Sequence, residues 1–439
     1  MEYKAEYNDR KATAEEAAGM VNSGDSIVVA LGCGETPAIL EAVADRHEKL
    51  NNVTISQMLP LYNYSYFKPG MEESIKHNAW FISGLTRDIV NKGRADFTPN
   101  YFHDAPALFS DYHHINILMA AVSPMDKHGY FSFGLSVDYT KEAAEQADLV
   151  LVEVNENMPR TLGNSFIHIS EIDCLVENNR DLPELPLKAA DDKEKVIGNY
   201  IAQLIEDGST IQLGIGGIPN AVAGALRDKK DLGIHSEMLT DGMVDLVKEG
   251  VVNNSKKSIH KGKIIGSFAA GSKKLYDFLD DNPMVEMHPV SYTNHPSVIS
   301  KNNKMVSINS TIEVDLLGQC ASETVGTRQI SGTGGQTDFV RGAVKSDGGK
   351  SIIALKATAR NGTCSTIVPT LSKGAVVTTG KNDIDFVVTE YGIAKLRGKT
   401  ARERAEALIN IAHPDFRDEL RKESPYLRTV TTGLNTELG

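Results

Sequence analysis

The sequence predicts an α/β fold made of two related open α/β domains that face each other across a crevice. Three observations carry this expectation. A glycine-rich turn, Gln212-Leu213-Gly214-Ile215-Gly216-Gly217-Ile218-Pro219, separates an apolar strand from an apolar helix, and Gly233-Ile234-His235-Ser236-Glu237-Met238 follows one helix later. The same order of elements occurs near the N-terminus. The chain also has 439 residues, too many for one ordinary hydrophobic core.

In chain order, Ala14 to Val21 reads as a helix, Asn22-Ser23-Gly24-Asp25 as a turn and Ser26 to Leu31 as a strand. Gly32-Cys33-Gly34 follows, then a helix from Pro37 to Val43. Apolar runs predict further strands at Val53 to Met58, Ile115 to Val122 and Leu149 to Val154. Ser123 to Gly129 reads as a turn. Two prolines in Leu182-Pro183-Glu184-Leu185-Pro186 mark a linker, which divides the chain into 1–185 and 186–439. A charged helix start at Asp191 to Lys195 opens the second half. Ile205 ends that helix, Thr210 to Gly214 is a buried strand, and Pro219 suits the first turn of the next helix. Asp231 to Ser236 is the following strand. A strand-helix-strand unit of this size forces a parallel pair, so both strands end on one sheet edge, where open α/β sheets bind ligands. Strands at Met305 to Asn309, Ser351 to Leu355 and Phe386 to Thr389 and a helix at Ala401 to Ile411 complete the reading. Laying Gly24 on Gly208 puts Gly32 on Gly216, with Pro37 and Pro219 two places out of register. The similarity is short and chance competes with it; read as a duplication, it places the crevice between two like domains.

Composition narrows the function. The net charge of −12 argues against nucleic acid as a partner, since phosphate neutralisation needs excess Lys and Arg. No run approaches the roughly 20 apolar residues of a membrane helix. The start, Met1 to Glu6, lacks a signal peptide's apolar stretch. Four scattered cysteines without a Cys-x-x-Cys fit a reducing cytoplasm.

Two glycine loops, Gln212 to Gly217 and Gly332-Thr333-Gly334-Gly335-Gln336, are candidates for converging backbone N–H groups on an anion. A plain tight turn explains each loop equally well. Neither is followed by Lys-Ser/Thr, and neither completes a dinucleotide fingerprint. Glu237 alone reads as a solvated or helix-capping carboxylate beside Thr240-Asp241-Gly242, or as a functional acid. His235 reads as a packed histidine. His113-His114 and His295 lack ligand spacing with carboxylates or cysteines, so no metal is expected. There is no Gly-x-Ser-x-Gly elbow. Cys33 reads as a small residue packed under a turn, with a nucleophile as the alternative.

The segments Gln212 to Ala221, Gly233 to Met238, Tyr292-Thr293-Asn294-His295-Pro296, Ile308-Asn309-Ser310, Gly332 to Phe339, Val387 to Gly392 and Asn410 to Pro414 together resemble the acetyl-CoA hydrolase/transferase family. Within it the chain is most similar to the 4-hydroxybutyrate and butyrate:acetate CoA-transferases. Ser123 to Asp126 and Ile167 to Glu171 extend the resemblance over the first half.

The resemblance implies two α/β domains of the CoA-transferase type with the active site between them. It implies that Glu237 attacks an acyl-CoA thioester, that Asn294 contacts the glutamyl carbonyl, and that Gly335, beside Gly334, donates to the oxyanion. Coenzyme A is then the expected substrate-cofactor. Gln212, Leu213, Gly214, Ile215 and Gly216 would bind it, with Ile312 along the thiol arm and Gly32 and Gly34 at the acyl pocket. Acyl-CoA and short-chain carboxylates are the expected partners, in a cytoplasmic homo-oligomer that carries no metal. Gly32-Cys33-Gly34-Glu35 departs from the more apolar version of 4-hydroxybutyrate enzymes, which leaves the acyl group open between short acyl, small dicarboxylate and hydroxy acid. The rival readings are a hydrolase using the same glutamate and a non-catalytic CoA- or nucleotide-binding regulator.

Overall fold

The computed structural model describes residues 3–185 and 189–427, so the Pro186 end of the expected linker and the first two residues lie outside the described part. Seven parallel strands form the sheet of the first half. Their spatial order is Asp96–Phe97, Ile75–Phe81, Val53–Met58, Ser26–Val29, Ile117–Val122, Leu149–Val154 and Cys174–Glu177. The second half holds a six-stranded sheet in the order Gly233–Ile234, Thr210–Leu213, Met305–Ser310, Lys350–Ala354, Phe386–Thr389 and Gly392–Lys395, in which only the last pair is antiparallel.

In both sheets the chain order reverses beside the first strand. One reversal lies between Ser26–Val29 and Ile117–Val122, the other between Thr210–Leu213 and Met305–Ser310. Such switch points leave a crevice at the carboxyl ends of the strands. The glycine turns that follow the two first strands emerge there: Gly32–Gly34 as a 3-10 turn, and Gly214 to Gly217 leading into the helix Gly217–Ala225.

Every second residue of a strand serves a different core, as the two-residue side-chain period requires. Val28 belongs to a cluster between the sheets, whereas Ile27 and Val29 belong to one on the outer face of the first sheet. Ile352 and Val388 face the shared cluster, and Ile353 and Val387 an outer cluster of the second sheet. Both faces of both sheets are therefore buried, which is why the central strands read as unbroken apolar runs such as Ile117-Leu118-Met119-Ala120-Ala121-Val122. The shared cluster runs from Leu118 in the first half to Val306 in the second, so the halves are joined by apolar packing as well as by the linker.

Two elements differ from the sequence reading. The strand expected over Asp231 to Ser236 is only Gly233–Ile234. Asp231 has φ +57, which delays the extended run, and Ser236 Oγ donates to the carbonyls of Leu213 and Met238, which turns the chain out of the sheet. The N-terminal strand ends at Val29 rather than Leu31. Among the described residues no helix is long and apolar enough to cross a membrane.

The helix Asp192–Leu204 starts on a capping box in which the Asp191 carboxylate accepts from Glu194 N and the Glu194 carboxylate from Asp191 N. It packs on Gly217–Ala225 through Gly198, where a Cβ would lie 2.7 Å from the Ala221 carbonyl carbon. Gly198→Ala should therefore push the second helix off its partner and lower stability by about 1–3 kcal/mol. Chemical denaturation checks this; an unchanged midpoint would show that the two helices do not bear on each other at Gly198.

Candidate active site

Glu237 sits in the short link between Gly233–Ile234 and Met238–Leu239, and its backbone is pinned on both sides. Its carbonyl accepts from Ser267 N at 2.9 Å and Phe268 N at 3.1 Å, while Met238–Leu239 pairs in parallel with Phe268–Ala269. Ser236 N donates to the Ile265 carbonyl at 3.0 Å. The main chain is thus fixed where the side chain projects towards the crevice.

The carboxylate receives Asn294 Nδ2 at 2.6 Å on Oε2, and the Gly335 amide also donates to it. Asn294 is fully buried and ends the short helix Val290–Thr293, its own N–H donating to the Val290 carbonyl at 2.9 Å. Gly335 caps the helix Gln336–Lys345. A Cβ there would overlap both Glu237 Oε2 and Asn294 Nδ2, so only glycine lets this amide reach the carboxylate. Burial pushes the Glu237 pKa up to about 8, and the charges of Asp338 and Asp138 add to the rise against the Asn294 and Gly335 hydrogen bonds. Near neutrality it is a carboxyl poised to ionise, a property typical of functional sites.

Glu237 and Gly335 line a cavity of roughly 170 Å³ between the two halves. Leu31, Met58, Leu59, Phe81 and Phe102 come from the first half; Met238, Phe268 and Phe339 come from the second. Among the described residues no lysine or arginine lines it. A larger cleft of roughly 460 Å³ lies elsewhere, edged by Glu156, Asp181, Glu184, Asp277 and Asp280. Its five carboxylates outnumber the single lysine on the rim, Lys273, so the cleft disfavours the phosphates of a nucleotide-like ligand. The smaller cavity is therefore the candidate site.

The structure brings together most of the residues singled out in the sequence. Gln212, Leu213, Gly214, Ile215, Gly334 and Gly335 line the cavity with Glu237, and Asn294 meets the carboxylate. The Gln212 side chain spans the switch point, its Oε1 accepting from Ile308 N at 3.1 Å and Asn309 Nδ2 at 3.3 Å. Ile215 is 54 % exposed, an apolar side chain left open beside the glycines. Gly216 does not line the cavity; with φ +121 it turns the chain into the following helix. Ile312 also stands apart, past the end of Met305–Ser310, its N–H donating to the Ala321 carbonyl at 3.1 Å. Gly32 and Gly34 lie behind the wall that Leu31 presents, and a Cβ on Gly34 would strike Ser136. Cys33 is buried with its pKa pushed up to about 11 by burial, an inert thiol. His235 is likewise packed: its Nε2 meets the Thr293 carbonyl at 2.8 Å, and burial drives its pKa down to about 3.

Sequence reasoning missed the apolar wall from the first half and a link that crosses the halves. Phe102 N donates to the Gly334 carbonyl at 3.3 Å. His103 holds buried Asp338 through its N–H at 3.1 Å and its Nδ1 at 2.7 Å. Burial disfavours the imidazolium, yet the hydrogen bond and charge of Asp338 raise the His103 pKa overall. Asp338 lies in the first turn of the helix that Gly335 caps, so this pair braces the glycine loop from the opposite half. An apolar strand end and a lone histidine carry no local signal of such a role.

Comparison with known proteins fits this geometry. The model of the acetyl-CoA hydrolase/transferase N-terminal domain matches residues 1–184, and that of the C-terminal domain matches residues 271–424. The chain is 54 % identical over 428 residues to a succinyl-CoA:cyclohexane-1-carboxylate CoA transferase of Geobacter metallireducens, covering 98 % of each chain. It is 52 % identical over 424 residues to a 4-hydroxybutyrate coenzyme A transferase of Clostridium kluyveri, covering 96 % of this chain and 99 % of that one. The crystal structure of RipA from Yersinia pestis superimposes with a TM-score of 0.92 at 39 % identity, over 96 % of this chain and 98 % of RipA. On these matches, end to end in sequence and in fold, the chain belongs to the acetyl-CoA hydrolase/transferase family.

Proposed function

We propose that this protein transfers coenzyme A between a short-chain acyl-CoA and a carboxylate such as acetate, with Glu237 carrying the acyl group and then CoA. The observation that carries the reading is the Glu237 carboxylate, held by Asn294 and the Gly335 amide at the wall of an apolar cavity. The carboxylate oxygen attacks the thioester carbonyl, and collapse of the tetrahedral oxyanion expels CoA thiolate and leaves an acyl-glutamyl anhydride. The thiolate then attacks the glutamyl carbonyl of the anhydride, releasing the acyl carboxylate and leaving glutamyl-CoA. An incoming carboxylate repeats these steps in reverse and leaves as the new acyl-CoA. This is covalent, ping-pong catalysis.

Each collapse passes through an oxyanion that needs preorganised donors, and losing one typically costs about 10²–10³ in rate. The Gly335 amide and Asn294 Nδ2 already point at the reacting carboxyl, so neither needs to reorganise. Gln212 to Ile215 would bound the thiol end of CoA, with the exposed Ile215 against its arm. A hydrolase would use the same glutamate with water as acceptor; the apolar lining, which keeps water from the glutamyl ester, favours transfer. The same reading includes a division of the chain at 185/186 and work in the cytoplasm as a homo-oligomer.

Glu237→Ala should lower turnover by roughly 10⁴-fold or more. Wild-type protein mixed with acyl-CoA and no acceptor should hold CoA on the peptide containing Glu237, as mass spectrometry would reveal. An unmodified peptide sinks the covalent route, and CoA release at full rate without acetate makes the protein a hydrolase. The pH dependence has a definite sign: because the nucleophile must be ionised and its pKa is raised to about 8, kcat/KM should climb with pH towards that value and level off above it. Asn294→Ala removes a donor that favours the charged form, so its profile should move further alkaline. A profile flat from pH 6 to 9 in both proteins would contradict the assignment.

A further inference from the structure

Behind the helix that presents Asn294, three side chains converge that the transfer chemistry does not use. Glu286 lies on the strand Val285–Met287, and His288 follows two residues later, so both project from the same side of one strand. His260 comes from the loop ahead of the neighbouring parallel strand Ile264–Gly266, with its backbone at φ +51. The metal-free expectation from the sequence rested on His113, His114 and His295, none of which takes part here.

We propose that His260, Glu286 and His288 form a binding site for a divalent transition metal of the zinc class. One nitrogen of each imidazole and one carboxylate oxygen lie within 4.8 Å of one another, and all three residues are only part-buried, open to entry. His260 Nδ1 is 3.4 Å and His288 Nε2 3.5 Å from the same Glu286 Oε2. These separations exceed the roughly 2.7–3.2 Å of a good N–H···O bond. They match the edge of a tetrahedron of ligands, about 3.3–3.5 Å when metal–ligand bonds are about 2.0–2.1 Å. The remaining nitrogen of His260 is held by Tyr292 Oη at 2.6 Å, the partner that orients a ligating imidazole and fixes which nitrogen faces the ion. Two imidazoles and one carboxylate leave a coordination position for water, and nitrogen donors favour zinc, cobalt or nickel over calcium or magnesium. Two cations adjoin the site: Lys263 Nζ lies 3.4 Å from Glu286 Oε1, and Lys257 Nζ is held by the carbonyls of Ile234 and Lys263. Their charges oppose any bound cation, so the affinity of the site comes from its nitrogen donors.

The site is wired to the catalytic groups through the backbone. The His288 carbonyl accepts from Ser267 Oγ at 2.8 Å, and Ser267 N donates to the Glu237 carbonyl at 2.9 Å. Tyr292 belongs to Val290–Thr293, the helix that Asn294 ends. A bound ion would tie the two strands and this helix together and set the rigidity of the Glu237–Asn294 pair without touching substrate.

Untagged protein, stripped with a chelator and titrated with Co²⁺ alone, should develop a saturable visible d–d band at one ion per chain, which Zn²⁺ then displaces. His260→Ala and His288→Ala should each weaken binding by about 100-fold, and Tyr292→Phe by about tenfold. Far-UV circular dichroism confirms that the variants are folded. A Zn²⁺-dependent rise in the melting temperature of wild-type protein tests the site without any variant. Absence of one-to-one binding to wild-type protein, or binding that persists undiminished in both folded histidine variants, overturns the site. Because the readout is metal binding, the outcome is independent of whether Glu237 carries CoA.

Discussion

A carboxylate taken out of water is the constraint around which this molecule is arranged. An ionised group loses several kcal/mol of hydration when it is buried, and the raised pKa of Glu237 registers that loss. The chain offsets it with two donors from separate segments, Asn294 at the end of a short helix and the Gly335 amide at the start of another. The offset is partial, because buried Asp338 and Asp138 press in the other direction. The result is a carboxyl able to exist in both forms near neutrality, as the proposed covalent role requires.

Partial compensation requires accurate placement, and the fold provides it by opposing two sheets that switch direction at the same kind of position. The second sheet positions the glycine strand end and, one link beyond its edge strand, Glu237. The first sheet supplies the apolar wall through Leu31, Met58 and Phe81. A core continuous between the sheets keeps the two edges in register. The contact of Phe102 and His103 with Gly334 and Asp338 ties the second glycine loop to the other half. Neither half alone encloses the cavity: the second brings Glu237 with Met238, Phe268 and Phe339, and the first closes it with Leu31, Met58, Leu59, Phe81 and Phe102.

Much of this was legible before any coordinate. Buried parallel strands leave unbroken apolar runs, so Val53–Met58, Leu149–Val154 and Phe386–Thr389 were readable to the residue. The Asp191 capping box and the proline after the glycine turn punctuate the helices in a local code. Where long-range contacts compete with local preference the reading failed, as in the strand curtailed by Asp231 and by the Ser236 hydroxyl bonding across to Leu213. At the site, Glu237, Asn294 and Gly335 emerged from motif resemblance. Ile312 and Gly216 lie off the cavity lining, because position along a strand end does not say which residue turns towards it.

By itself the sequence determined the α/β class and the glycine turns at strand ends, because these depend on periodicity and turn chemistry, while Glu237, Asn294 and Gly335 came from the family resemblance of their segments. Only the tertiary structure decided that the side-chain amide at 294 and the backbone N–H at 335 meet on the carboxyl at 237. It alone showed that His103 braces the loop, and that the histidines at 260 and 288 face one carboxylate. Such convergence comes from packing one sheet edge against another, a relation between residues distant in the chain that no local pattern encodes.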